Sequence, residues 1–392
     1  MTARKAGTPT RLVRSNGGMD SSPNCKLIGI KVPSSRCNPC SKEEPMENRT
    51  VVAVDIAKSV FQLAISQSPD QPVRDRRLRR SEFFAFFEKL PPAIVAMEAC
   101  GSAHYWARRI EALGHTVELI PPHLVRPYVT RNKTDRADAH AILEARRNRA
   151  IHLVPIKSEA QQALGAIHRF RSGWIAARTA QVNTVRGLLR EFGIVIPVGV
   201  EKVVPEVRLL VEDADSKVPD SLRSMLDAAC GEIESLDQRI KQAGKQLELE
   251  AEGSPRATLI CSTPGVGLIT GTALIAFVGD VERFASGRHF ASYLGLTPRE
   301  RSSGSTRRLG GISKRGDRYL RMLFIHGARS VLCHAKRAKS HDRLRAWALA
   351  LQRRSRHNKA AVALANKLAR IVWAILKNGR LYEPMPPSAV AA

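Results

Sequence analysis

Two aspartates, Asp135 and Asp138, lie three positions apart in the segment RNKTDRADAHAI, residues 131–142, which is otherwise rich in Arg and Lys. On a helix, positions i and i+3 share one face, so the two carboxylates could bind one cation. A plainer interpretation is that an Asp caps the helix N-terminus and its partner complements the helix dipole. The spacing alone leaves both interpretations open.

Two further acids interrupt apolar segments of the same region. Asp55 lies within VVAVDIAK and Glu98 follows AIVAM, surroundings in which an unpaired carboxylate is costly to bury. Hydrogen bonds from nearby backbone amides would be enough to satisfy either acid alone. Together, the four acids provide the oxygen ligands that Mg²⁺ prefers, and two such ions can hold a phosphodiester in line for displacement. We therefore expect a Mg²⁺ (or Mn²⁺) site, with Arg131, Lys133 and Arg136 facing a nucleic-acid backbone.

The elements that must position these acids alternate in type. Residues 50–148 pass between short strands and helices, as α/β folds do. Strands are predicted at VVAVDIA, FQLAISQ, RDRRLRR, AIVAMEA and TVELI, and helices at SEFFAFFEKL, AHYWARRIEAL and the segment that contains Asp135 and Asp138. Residues 158–250 show helical spacing, and their alternating charges are typical of a solvated or coiled-coil face.

The composition divides the chain further. Residues 1–49 form a basic extension rich in Ser, Pro and Gly that we expect to be disordered, and Met46 is a candidate for the working start. The predicted domains are an α/β domain at 50–150, a helical spacer with an oligomerising role at 151–252, a mostly helical domain at 253–382, and a tail at 383–392.

The charge of the chain indicates its partner. The 392 residues include 63 Lys and Arg against 36 Asp and Glu, a net charge of +27, which is typical of proteins that bind a polyanion. Residues 298–380 contain 22 Lys and Arg against three acids. A membrane partner is disfavoured, because the longest strongly apolar run, near 268–279, is far shorter than the roughly 20 residues that span a bilayer.

The cysteines and the N-terminus indicate a cytoplasmic protein, which the basic charge would associate with the nucleoid. The seven cysteines are scattered, as reduced thiols are, and no secretory signal is recognised. CNPC at 37–40 is similar to half of a zinc knuckle, but no second pair at metal spacing follows. No P-loop motif is present, so ATP use is not indicated.

A glycine-rich turn precedes an apolar helix in TPGVGLITGTALIAFVG. With Gly265 and Gly267 in the turn, the pattern is typical of a helix-hairpin-helix whose amides bind a phosphate at a helix N-terminus. A simple turn between two helices is the equal alternative.

Three motifs, VDIAK, MEACG and NKTDRADA, occur in this order. Together with the segment from STPGVG to FIHGAR, they resemble the DEDD insertion-sequence transposases, the bridge-RNA-guided recombinases. The resemblance covers about residues 50–380. It implies an RNase H/RuvC-like domain in which Asp55, Glu98, Asp135 and Asp138 bind Mg²⁺, followed by a helical spacer and a serine transposase domain.

The resemblance also implies a nucleophilic serine. Aligning LTPRERSSG with the family pattern places it at Ser303, next to Gly304, with Ser302 and Ser305 as neighbouring alternatives. In this family the serine attacks DNA to give a 5′-phosphoserine, which a free 3′-hydroxyl later resolves. Cations would stabilise the charge that develops on the phosphate during transfer. The candidates are Arg307, Arg308, Lys314 and Arg315.

The family assembles its active site from the RuvC-like domain of one subunit and the serine domain of another. The implied partners are donor DNA, target DNA and a structured guide RNA, around a tetramer formed from dimers. Because the guide RNA would choose the sequence, the protein would recognise shape and backbone.

Other functions stay open. A RuvC-type nuclease or junction resolvase would use a metal-activated water, and Ser303 would only bind phosphate. A nucleic-acid-binding protein with a dead metal site is disfavoured by the presence of all four acids. A tyrosine recombinase using Tyr319 is less favoured, because no accompanying His/Arg catalytic set is recognised.

Overall fold

The computed structural model describes residues 49–68, 72–130, 132, 134–337 and 342–386. The predicted disordered extension, the CNPC motif and Met46 lie outside the described residues, apart from Arg49. From Arg49 onwards the chain forms one unit.

A mixed five-stranded sheet begins the described chain, in the order β3-β2-β1-β4-β5. Strand β1 pairs antiparallel with β2, and β2 pairs antiparallel with β3. Strand β1 pairs parallel with β4, and β4 pairs parallel with β5. The strand bounds are Val51–Ile56, Val60–Ser66, Arg74–Arg79, Ile94–Glu98 and Thr116–Ile120. All five predicted strands are confirmed, and the sheet is consistent with a RuvC-like fold.

Alternation along the strands produces two buried faces. Val52 and Val54 of β1 belong to a core that includes Phe83 and Trp106. These aromatic residues come from α1 (Arg80–Glu88) and α2 (Ala103–Glu111), both predicted from the sequence.

The opposite face of the sheet is covered by α4, Asp135–Arg147. Ala53 and Ala96 pack there with Ile142 of α4. A short helix, α3 (Pro122–Val125), follows β5 on the same side. Small alanine side chains on both strands allow α4 to approach closely.

Ion pairs fix the direction of α4 across the sheet. His140, near the middle of the helix, contacts Asp75 of β3 at 2.7 Å, and Arg146, near the helix end, contacts Glu118 of β5 at 2.8 Å. Since β3 and β5 are the two edge strands, the helix crosses the sheet from one edge towards the other.

The predicted helical spacer consists of α5 (Glu159–Glu191), α6 (Val203–Glu212) and α7 (Asp220–Glu252). Leu164, near the start of α5, packs with Leu247, near the end of α7. The end of α5 packs with the start of α7 through a separate core. The two long helices are therefore antiparallel neighbours, each of 33 residues.

The C-terminal region is mostly helical, as predicted, but it also contains a β-hairpin that the sequence analysis did not predict. The hairpin strands are β6, Pro298–Glu300, and β7, Leu309–Ile312. The helices α8 to α13 are Pro255–Cys261, Leu268–Phe277, Gly287–Tyr293, Arg318–Ala335, Arg343–Arg354 and His357–Asn378.

The start of α5 joins the sheet domain to the C-terminal helices. On one side, the Arg108 guanidinium of α2 donates to the Gln162 side chain at 2.6 Å. On the other, Gln161 donates to the Ile275 carbonyl of α9 at 3.1 Å. A Cβ on Gly165 would lie 3.3 Å from the Phe277 ring. The spacer is thus packed against both neighbouring regions at this end.

Candidate active site

The two strand acids are brought side by side by parallel pairing. Val54 of β1 is opposite Met97 of β4, and Asp55 and Glu98 are the next residues on each strand. By alternation, both acids lie on the sheet face of Ala53, which is the face that α4 covers. Both are half-buried. The acids therefore meet at the carboxyl ends of two parallel strands.

The two helix acids occupy the first turn of α4. Thr134 is the N-cap, and its hydroxyl accepts from the Ala137 amide at 3.2 Å. The interpretation that an Asp caps this helix is therefore wrong. Asp135 is exposed and Asp138 is half-buried, and both complement the positive end of the helix dipole.

The donor chemistry suits a hard divalent cation, but its geometry is incomplete. Asp55 and Glu98 offer carboxylate oxygens on the same face as α4. Within the described ranges, however, no three His, Cys, Asp or Glu side chains are grouped so that they could hold one metal ion. The structure thus brings together two of the four acids, and the convergence of all four stays a prediction.

The basic residues predicted around these acids have separate outcomes. The Arg136 Nε atom lies 2.7 Å from an Asp75 carboxylate oxygen, although the Arg136 side chain is 71% exposed. Arg131 and Lys133 lie outside the described residues. Contact of these three residues with a nucleic-acid backbone stays a prediction.

Ser303 lies at the end of the β6–β7 hairpin. Its amide donates to the Thr306 carbonyl at 3.2 Å, and the Thr306 amide donates back at 3.1 Å. The two residues between them form the turn, in which Gly304 has φ +54°. Glycine is favoured there because hairpin turns of two residues require positive φ. Ser303 is exposed, so an incoming strand can reach it.

The neighbouring serine is engaged within the hairpin. The Ser302 hydroxyl donates to Glu300 Oε1 at 2.8 Å and accepts from the Arg308 amide at 3.2 Å. Arg307 Nε donates to the same Glu300 oxygen at 3.2 Å. The hydrogen bond from Ser302, followed by the charge of Arg307, lowers the pKa of Glu300. In the described part of the chain, the Ser303 hydroxyl has no such hydrogen bond.

The loop that carries Lys314 and Arg315 is held by its backbone. A Cβ on Gly316, which has φ +79°, would collide with the Tyr293 carbonyl oxygen. The buried Arg321 guanidinium donates to the Arg315 carbonyl at 3.1 Å. The Lys314 and Arg315 side chains remain exposed. This arrangement leaves both cations available to a polyanion.

In the glycine turn before α9, backbone conformation and close packing both require a glycine at Gly265. That residue has φ +76°, and an added Cβ would lie 2.6 Å from the Gly327 carbonyl oxygen of α11. Gly267 is the N-cap of α9, and no atom lies within 4 Å of the position of its Cβ. The turn joins two helices, α8 and α9, as both the helix-hairpin-helix and the simple-turn interpretation require. Phosphate binding at Gly265 and Gly267 stays a prediction.

A cluster of polar residues beyond Glu98 was missed by the sequence analysis. His104, Lys157, His168, Arg169 and Tyr319 line one cleft but come from segments up to 215 positions apart in the numbering. Each is unremarkable in its own segment, so no local pattern could have grouped them.

Two features of the structure relate to the predictions about a membrane partner and about the cysteines. No described helix combines the length and the apolar character that crossing a membrane requires. The four cysteines of the described ranges, Cys100, Cys230, Cys261 and Cys333, are free thiols.

Similarity to known proteins decides the family. A model of the DEDD transposase domain of the IS110 type matches residues 52–194, and a second, described as "Transposase IS116/IS110/IS902 family", matches 257–345. A Pseudomonas aeruginosa protein named "Probable family 20 transposase" is 42% identical over 339 residues, 86% of this chain and 99% of the relative. The chain belongs to the IS110/IS116 transposase family.

Other relatives of this IS110/IS116 transposase have the same extent. The transposase for insertion sequence element IS1111A of Coxiella burnetii is 36% identical, covering 87% of this chain and 93% of the relative. The transposase for element IS1328 of Yersinia enterocolitica is 35% identical, covering 86% and 99%. The prediction that this enzyme is an insertion-sequence transposase is therefore confirmed.

Proposed function

We propose that this IS110-family transposase cuts and rejoins DNA through a covalent phosphoserine at Ser303. One observation carries the proposal: Ser303 is exposed at the end of a glycine turn, while the adjacent Ser302 hydroxyl is engaged with Glu300. A nucleophile must be accessible and must not be committed to a structural hydrogen bond.

The chemistry conserves bond energy. The Ser303 oxygen bonds to phosphorus, the bond from phosphorus to the 3′-oxygen breaks, and the proton lost by serine is balanced by the one gained by the 3′-hydroxyl. Attack by another 3′-hydroxyl reverses these changes and restores the serine. No nucleotide cofactor is consumed, because one phosphodiester is exchanged for another.

A serine hydroxyl is a weak nucleophile at neutral pH and needs a stabilising field. We propose that Asp55, Glu98, Asp135 and Asp138 hold Mg²⁺, which when bound would supply Lewis-acid stabilisation of charge on the phosphate. Arg307 and Arg308, both exposed beside the turn, would attract and neutralise the phosphate. Their role requires only proximity to the hairpin end.

We propose that two dimers form a tetramer, with the spacer as the contact between copies. Large apolar side chains are exposed along its helices, including Phe170, Leu209, Met225 and Leu249, each 61–63% exposed. Exposed apolar side chains favour association when two copies bury them against each other. Such a dimer would allow Ser303 of one copy to act with the acids of another.

We also propose that a structured guide RNA selects donor and target DNA. The support is electrostatic: the chain carries a net charge of +27, which suits binding of phosphate backbones without sequence readout. Sequence choice would then lie in base pairing.

A suicide DNA substrate tests the nucleophile. Its cleavage traps a covalent protein–DNA adduct that a denaturing gel resolves. The wild type and Ser302→Ala should form the adduct with DNA substrate, guide RNA and Mg²⁺ present, and Ser303→Ala should not. Free cleavage by Ser303→Ala would instead support a metal-dependent nuclease, in which a metal bound by the same acids would activate water.

A further inference from the structure

A cleft of about 810 Å³ opens where the sheet domain, the start of α5 and the C-terminal helices meet. Its sheet-domain wall includes Cys100 and Gly101, just after β4, and Pro121, just after β5. Ligands of open α/β sheets commonly bind outside the carboxyl ends of the strands. Ala99, the residue after Glu98, also lines the cleft, which therefore adjoins the candidate active site.

Two cations, Lys157 and Arg169, line the cleft together with His104. Burial, followed by the positive charge of Arg169, lowers the pKa of Lys157. Asp317 also lines the cleft. Its charge raises the pKa of Lys157 and so partly offsets the repulsion from Arg169, while its carboxylate accepts from the Leu320 amide at 2.8 Å as the N-cap of α11. A bound anion would relieve the remaining repulsion between Lys157 and Arg169.

His104 contributes an uncharged ring to the same lining. Its Nδ1 atom accepts from the Lys157 amide at 3.2 Å, so the ring proton must lie on Nε2. Burial, with smaller effects from Lys157, Arg108 and Arg169, lowers the pKa of His104 to about 4. At neutral pH the ring is therefore uncharged and has an Nε2–H to donate.

Aromatic side chains also contribute to the cleft. Phe277, Tyr293 and Tyr319 line it, and the Lys157 ammonium lies 5.2 Å from the centre of the Phe277 ring. Tyr319 is fixed by a hydrogen bond of 3.1 Å between its hydroxyl and His168 Nδ1. Cations that face aromatic rings form the arrangement that binds single-stranded nucleic acid, because phosphate and base are satisfied together.

We propose that this cleft binds one unpaired nucleotide of the DNA substrate, with its phosphate on Lys157 and Arg169 and its base against Phe277 and Tyr319. The inference rests on the proposed function, in which a DNA strand must reach the acids near Glu98. The volume lies within the range of small-ligand sites and is too small for a duplex. Unpairing a nucleotide has an energetic cost, which these contacts would offset.

Photo-crosslinking tests the site without requiring chemistry. The full chain carrying Ser303→Ala is mixed with substrate DNA that has 5-iododeoxyuridine at one unpaired position, irradiated, digested and mapped by mass spectrometry. The expected crosslinks are to Tyr319, Phe277 or Tyr293. Crosslinks found only outside the cleft would overturn the inference.

A charge variant supplies the second arm. Lys157→Met should lower the crosslink yield about tenfold, the effect of losing one charge-assisted hydrogen bond. Lys245→Met, which removes an exposed charge from α7, is the matched control and should retain the yield. Equal yields for the two variants would contradict the phosphate contact.

The remaining outcomes separate this inference from the proposed function. A Ser303–DNA adduct in the wild type without cleft crosslinks would leave the function standing and remove the nucleotide site. Cleft crosslinks without any Ser303–DNA adduct in the wild type would keep the nucleotide site and remove the proposed serine chemistry. Preferential crosslinking of an RNA strand that carries 5-iodouridine would overturn the assignment to DNA.

Discussion

The hydroxyl of Ser302 donates to Oε1 of Glu300 across 2.8 Å. Adjacent residues of a hairpin strand point to opposite sides, so Ser303 does not share this partner. The hairpin thus separates two neighbouring serines that the sequence alone presents as near equivalents.

The first prediction concerns Glu300. Glu300→Gln removes the charge that attracts Arg307 and weakens the acceptor for Ser302, yet the phosphoserine adduct should form at a rate within about tenfold of the wild type, because exposed polar pairs contribute little to stability. Adduct formation on a denaturing gel measures this. Complete loss of the adduct in Glu300→Gln, with normal DNA binding, would assign the carboxylate a chemical role instead.

The second prediction concerns the paired strand acids. Asp55→Asn and Glu98→Gln should each slow adduct formation by about 100-fold or more, the scale of losing one group that stabilises transition-state charge. DNA affinity should persist, because most of the positive charge lies elsewhere. Glu248→Gln, an exposed acid on α7, is the control. Normal adduct formation by both strand variants would contradict the metal-site proposal.

The third prediction concerns Gly265. Gly265→Ala should lower the free energy of unfolding by about 2–4 kcal/mol, since it adds both left-handed strain and a collision with α11. Gly187→Ala, in an exposed interior turn of α5 with no atom near the new Cβ, should raise it by about 0.5–1 kcal/mol. Urea unfolding measures both. Equal stability of the two variants would show that α9 and α11 can separate without cost.

The fourth prediction concerns pH and His168, which is buried between Tyr319 and Thr272. Burial, with a smaller effect from Arg171, lowers the pKa of His168 from 6.5 to about 4. As pH falls below 6.5, His168 becomes protonated in the unfolded chain, whereas in the folded protein it stays neutral until about pH 4. Stability should therefore decline through this window.

The control for this prediction must account for His104, because its pKa is also lowered in the folded protein. His168→Gln keeps a donor and an acceptor but does not titrate. The loss of unfolding free energy between pH 7 and pH 4.5 should be smaller in this variant than in the wild type. Parallel losses in both proteins would show that His168 does not contribute.

The fifth prediction concerns salt. The logarithm of DNA affinity should fall steeply with the logarithm of salt concentration, because neutralised phosphates release counterions. Arg308→Ala or Lys314→Ala should each reduce that slope by about one unit, whereas Lys245→Ala should not. An unchanged slope in both cationic variants would remove the hairpin region from the contact surface.

Local patterns in the sequence were enough for the secondary structure of the sheet domain. A short apolar run predicts β1, and its polar interruption marks Asp55 as unusual. These features depend on neighbours within a few residues, so they can be recognised without a tertiary structure.

The tertiary structure decided which residues meet. Asp55 and Glu98 are neighbours because β1 pairs parallel with β4, across an intervening strand pair and helix. Arg136 reaches Asp75 because α4 crosses to the edge strand. The cleft of His104, Lys157 and Tyr319 forms only when three regions of the chain pack together, and such long-range contacts depend on the packing of whole elements rather than on any local periodicity.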